Sequence, residues 1–99
     1  MNDRVVEIDA STELGVYLSS RDVASSFRAR VLGLGSVVTL DFSNVLSLSD
    51  SFADEFFAVI VEERGFEWFA QHLKVTGLSA SARETILRSV SLRCQRLAT

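Results

Sequence analysis

The residues of this chain best suited to chemistry stand close together. They are Ser49, Asp50 and Ser51, followed by Asp54 and Glu55, where a polar stretch gives way to an apolar one. Hydroxyls and carboxylates placed there have two uses. They accept hydrogen bonds from the free N–H groups at a helix start, or they face outward as a partner-binding surface, with Ser51 and Ser49 as candidate phosphorylation sites. A phosphate on Ser51 is favoured locally by the helix dipole and opposed by Asp50 and Asp54. Either way the charge of a contact surface changes sharply. Because Asp50, Asp54 and Glu55 already make this end acidic, the helix start itself is a poor place for an anion.

The other reactive groups are isolated. Asp41 ends an apolar run and reads as a turn or capping residue. A metal-binding acid there needs an acidic cluster and a partnering lysine, and no such set is visible. His72 and Cys94 are single copies. One histidine does not supply a recognisable nucleophile–base–acid set, and one cysteine makes neither an intrachain disulfide nor a zinc cage. Cys94 falls on an apolar helical stripe and reads as core. Gly33-Leu34-Gly35 precedes a strand and lacks a third glycine, so it is turn chemistry and not a dinucleotide fingerprint. The expectation is a non-enzyme without cofactor or metal.

The elements that must position these groups follow from periodicity. Val5 to Ile8 predicts a strand, and Gly15 to Leu18 a second. Ser19 or Ser20 caps a helix carrying Val23, Ala24, Phe27, Val31 and Leu32 at helical spacing, ended by Gly33 and Gly35. Val37 to Phe42 is apolar at nearly every position, the pattern of a central strand covered on both faces. A second helix runs from about Ser49–Ser51 to Arg64, with Ser51 and Asp54 at capping-box spacing. Phe52, Ala53, Phe56, Phe57, Val59, Ile60 and Val61 cover most of its circumference, which calls for deep burial or a partner. Phe66 to His72 predicts a helical turn in which Trp68, Phe66 and Phe69 close one end of the core or form a contact patch. Leu73 to Leu78 follows as a strand. Ser81 and Glu84 are a second capping-box pair, and Ile86, Leu87, Val90, Cys94 and Leu97 line a last helix from about Ala80 to Leu97. The order β(β)αβαβα argues for an α/β fold with a mostly parallel sheet.

Bulk properties bound the function. The chain has 99 residues, 47% hydrophobic and 23% charged, without proline. That length suits one domain over residues 1–99, and the apolar content excludes a disordered chain. A net charge of −3 argues against a general nucleic-acid grip. Arg83, Arg88, Arg93 and Arg96 crowd the C-terminal end and read as a solvated face or a docking surface for an acidic partner. No secretory pattern opens the chain, and no apolar run reaches the ~20 residues of a membrane span. The expectation is a soluble, cytoplasmic protein.

Val38-Thr39-Leu40-Asp41-Phe42-Ser43-Asn44-Val45, then Ser47 to Glu55, with Leu14-Gly15 and Ser20-Arg21 upstream and an arginine-rich ending helix, resemble the STAS-like domains of unknown function. These are small bacterial and archaeal proteins related in fold to the anti-sigma-factor antagonists. The resemblance implies a four- or five-stranded mixed sheet with helices mainly on one face. In the better-known antagonists a strand ends in an aspartate, and an Asp-Ser-Ser/Thr-Gly stretch opens the next helix. A serine there is phosphorylated by a partner kinase that is also the anti-sigma factor. Asp41 matches the strand-end aspartate, and Ser49-Asp50-Ser51-Phe52 falls on the Asp-Ser-Ser-Gly stretch. The phosphoacceptor position is therefore Asp50, which such a kinase does not phosphorylate, leaving Ser49 and Ser51 as substitutes. The implied function is regulatory protein binding in a signalling or stress circuit. The implied partner is a histidine-kinase-like ATPase or anti-sigma-type protein, docked through Ser49, Asp50, Ser51, Asp54 and Glu55. The alternative is a homo-oligomer associating through the Phe52/Phe56 helix or an edge strand.

Overall fold

The computed structural model describes residues 5–98, with side chains through residue 95. In chain order the elements are β1 (Val5–Asp9), α1 (Ala10–Leu14), β2 (Tyr17–Leu18), α2 (Arg21–Gly33), β3 (Val37–Asp41), β4 (Ser47–Leu48) and α3 (Asp50–Ala53). α3 continues through a π-helical turn (Asp54–Ala58) into α4 (Val59–Arg64), followed by α5 (Phe66–His72), β5 (Leu73–Thr76) and α6 (Ala80–Ala98).

The strands do not form the single four- or five-stranded mixed sheet expected from the sequence. β1, β3 and β5 make one three-stranded parallel sheet with β3 central, and β2 and β4 make a separate parallel pair. The reason lies in α1, which the sequence reading passes over. Asp9 Oδ1 accepts from the N–H groups of Ser11 and Thr12 and caps a helix directly after β1. The chain leaves the sheet there, so Tyr17-Leu18 pairs with Ser47-Leu48 and not with β1.

β3 is covered on one face only, which corrects the expectation of two. Val38 and Leu40 are buried, whereas Val37, Thr39 and Asp41 are half-buried. Helices cover one side of the sheet, and Glu7, Thr39 and Lys74 lie in register across the other. The end of β5 is fixed to β3 by the Phe42 N–H, which donates to Thr76 O at 2.8 Å. Gly77 (φ +75°) permits the approach, because a Cβ there would meet the Ser43 backbone nitrogen at 2.6 Å.

The core runs along the α3–α4 helix. Phe52, Phe56 and Phe57 are fully buried, with ring centroids of Phe27 and Phe56 5.4 Å apart and of Phe56 and Phe57 4.8 Å apart. Each buried ring contributes about 1.5–3 kcal/mol of transfer free energy. The apolar circumference is thus used inside the molecule, with Phe52 and Phe56 both buried. The π turn has a visible support. Val59 N–H reaches back to Asp54 O and Phe56 O, and the Arg28 guanidinium donates to the carbonyl of Glu55.

Local capping also differs from the expected pairs. Ser49, not Ser51, caps α3, and Ser79 Oγ, not that of Ser81, accepts the Ala82 N–H of α6 at 3.0 Å. Gly33 stays within α2 and Gly35 takes the positive φ. On α6, Ile86 is buried and Val90 packs against the core, but Leu87 is exposed. The side chains of Arg96 and Leu97 lie outside the described residues.

Candidate functional site

The β2–β4 pair sets two helix starts side by side. Both strands are parallel and both run straight into a helix, Leu18-Ser19-Ser20 into α2 and Leu48-Ser49 into α3. Ser20 Oγ accepts from Val23 N–H, and Ser49 Oγ accepts from Phe52 N–H at 3.1 Å. Ser49 also donates its hydroxyl to Ser19 O at 3.2 Å, and its N–H bonds Leu18 O at 2.9 Å. Both hydrogen-bonding functions of this hydroxyl are therefore engaged, tying one helix start to the strand that feeds the other. Ser51 is half-buried in the first turn, and its hydroxyl makes no hydrogen bond among the described residues.

The carboxylates divide sharply. Asp54 receives a two-pronged bond from Arg93 on α6, Nε to Oδ1 at 2.9 Å and Nη2 to Oδ2 at 2.6 Å. Arg21 Nη1 adds a third bond at 2.9 Å. These bonds, Arg93's foremost, hold the Asp54 carboxyl at about 2, below the ordinary 3.8, against the opposing effect of partial burial. Arg93 also reaches Glu62 at 2.8 Å, and its own proton is held more tightly by Asp54 and then Glu62. Glu55 pairs with Arg28 at 3.1 Å and Arg21 at 3.3 Å. Asp50 is different: its side chain is 73% exposed and, among the described residues, meets only Arg88, itself 56% exposed, at 3.0 Å.

Between the start of α2, the start of α3 and α6 lies a groove of about 260 Å³ lined by Arg21, Asp50, Asp54, Arg88, Ser89 and Leu92. A family model described as the STAS-like domain of unknown function (DUF4325) matches residues 23–82. The chain belongs to this family. No curated protein and no solved structure matches it.

In this STAS-like domain the five residues singled out from the sequence do share one locality, the junction of β4 with α3 and the π turn. They do not share one role. Ser49 holds backbone, Asp54 and Glu55 are clasped by the domain's own arginines, and Asp50 and Ser51 keep unspent polar capacity. The reading of the α6 arginines as a solvated face holds for Arg83 and not for Arg93, which is half-buried. Among the described residues no group of three His, Cys, Asp or Glu side chains could hold a metal ion. Asp41 Oδ1 accepts from Ser43 N–H, His72 stacks on Trp68, and Cys94 is half-buried. No helix among the described residues is long and apolar enough to cross a membrane.

Sequence reasoning missed Arg21, Arg28 and Ser89. A signal for the first two existed. Seven residues apart, Arg21 and Arg28 fall on one face of α2 two turns apart, and both reach Glu55. For Ser89 there was none, because its value depends on which side of α6 faces the α3 start.

Proposed function

We propose that this STAS-like domain is a non-catalytic regulatory module that docks a signalling protein through the β4–α3 junction, residues 47–55. The family's relation in fold to anti-sigma-factor antagonists points to a histidine-kinase-like ATPase or anti-sigma-type protein as the partner class. The observation that carries the reading is the contrast between a fixed frame and an open face at one place. Ser49 and the arginine clasps on Asp54 and Glu55 hold the helix start rigidly. Asp50 projects into solvent there, and two exposed residues lie nearby in the chain that feeds it, Tyr17 on β2 and Leu46 just before β4. A preorganised polar face with an aromatic and an aliphatic anchor loses little freedom on binding.

Phosphorylation of Ser51 is the corresponding regulatory step, since its hydroxyl is not committed to capping. The test is titration calorimetry of the domain against the kinase-like ATPase or anti-sigma-type proteins of its host, beside the Ser51→Glu variant. The expected result is binding by the native domain and at least tenfold weaker binding by the variant, at equal melting temperature, as like charges gather at the contact. Unchanged affinity removes Ser51 from the interface, and absence of binding by the native domain overturns the docking reading.

A further inference from the structure

We infer that the groove between α2, α3 and α6 receives an acidic side chain of the docking partner, and that Asp50 occupies its place in the free protein. This rests on the docking reading above and deepens it by naming the partner's chemistry. Ser89 forms part of the groove wall and is 7% exposed. Its hydroxyl has no hydrogen-bond partner among the described residues, yet no side-chain polar atom there is both sealed from solvent and unpaired. The access it keeps is through the groove. A hydroxyl that keeps such access exchanges bonds between water and any polar group that enters the groove.

Two arginines, Arg21 and Arg88, line the same groove. Arg21 engages Asp54 and Glu55 through Nη1 alone, and Arg88 engages Asp50 through Nη2 alone. Each leaves Nε and its second terminal nitrogen without a protein partner among the described residues. A planar fork with free N–H groups matches a carboxylate in geometry as well as charge. Asp54 does not repel the newcomer strongly, because Arg93 already binds both of its oxygens. Asp50 is the one groove carboxylate that must yield. Its pair with Arg88 is exposed on both sides, which makes it weak and readily exchanged. Leu92, exposed at the rim, gives an apolar neighbour of the acid a place to rest. The occupant is thus an acid-and-leucine segment of a protein.

The test is a titration of the ¹⁵N-labelled full chain with acetyl-Leu-Glu-Leu-amide, followed by amide and arginine Nε–Hε shifts. The expected result is shifts at Arg21, Arg88 and Ser89, with binding about tenfold tighter than that of the Leu-Gln-Leu peptide. Asp50→Asn should tighten binding, by up to about fivefold. Arg88→Gln should weaken it about tenfold and Ser89→Ala about threefold. The gain from Asp50→Asn keeps the test sound, because a misfolded variant does not bind better. Equal binding of the glutamine peptide, shifts confined to another surface, or no effect of Asp50→Asn overturns the inference. So does inorganic phosphate matching the peptide while leucine-to-alanine changes in it do nothing, which would mark a free-anion site. If the peptide fails while Ser51→Glu still abolishes partner binding, docking stands and the groove falls. If the peptide binds while Ser51→Glu and Arg88→Gln leave partner binding intact, the docking reading falls, and with it the assignment of the acid to a docking partner.

Discussion

Two arginine–carboxylate pairs join α6 to the helix that begins at Asp50, and they share little besides their chemistry. Arg93 and Asp54 are 20% and 17% exposed and meet through two parallel bonds, with Glu62 and Arg21 completing the cluster. Arg88 and Asp50, one turn nearer the helix start, are 56% and 73% exposed and meet through one. Screening by water makes the second pair worth about 0–1 kcal/mol. Partial burial and fork geometry make the first a clamp across the π turn. The difference teaches that residue type does not assign a role here. Depth does: the inner pair holds the helices, and the outer pair is free to exchange partners.

The comparison breaks first at Arg93. Arg93→Ala leaves Asp54 and Glu62 half-buried and short of a counter-charge, and should cost about 2 kcal/mol in urea unfolding at pH 7. A cost indistinguishable from that of Arg88→Ala would abolish the distinction.

Acid sharpens it next. The Asp54 carboxyl titrates at about 2 when folded and at an ordinary 3.8 otherwise. Its contribution is therefore present above pH 3.8 and lost as pH falls from 3.8 toward 2. The amount is about 2 kcal/mol, most of it absent from Asp54→Asn. Unfolding free energies measured from pH 5 to pH 2 check this, with matching slopes for native protein and variant as the opposing result.

The two serines give a smaller contrast of the same kind. Ser49→Ala removes a cap and should cost about 1 kcal/mol, whereas Ser51→Ala should change stability by less than about 0.5 kcal/mol. Smallest of all is Arg88→Ala, within about 0.5 kcal/mol of the native protein by the same unfolding assay.

Much of the fold was legible because it is local. A serine cap at Ser19 or Ser20, which the structure gives to Ser20, the strand at Val37, the short helix from Phe66 and the strand from Leu73 each follow from a few neighbouring residues. The parallel pairing of Tyr17-Leu18 with Ser47-Leu48 was not, since two residues of strand carry no period and the pairing spans thirty residues of chain. The caps were misplaced as well. Ser51 with Asp54 and Ser81 with Glu84 have the right spacing, yet the capping serine in each case lies two residues earlier. At Ser49 the backbone is still extended, with φ −82° and ψ 164°, because β4 ends there, and Asp54 is already taken by Arg93. The clustering of polar side chains at residues 49–55 was legible, and their division of labour was not. That division depends on arginines from two other helices that only the folded chain brings near.

The docking claim is met most directly by hydrogen–deuterium exchange of the native domain with and without a kinase-like ATPase or anti-sigma-type protein of its host. The account expects added protection in residues 47–55 and around Arg88, with no change on the open sheet face at Glu7, Thr39 and Lys74. Protection confined to that sheet face, or none anywhere at saturating partner, would contradict it.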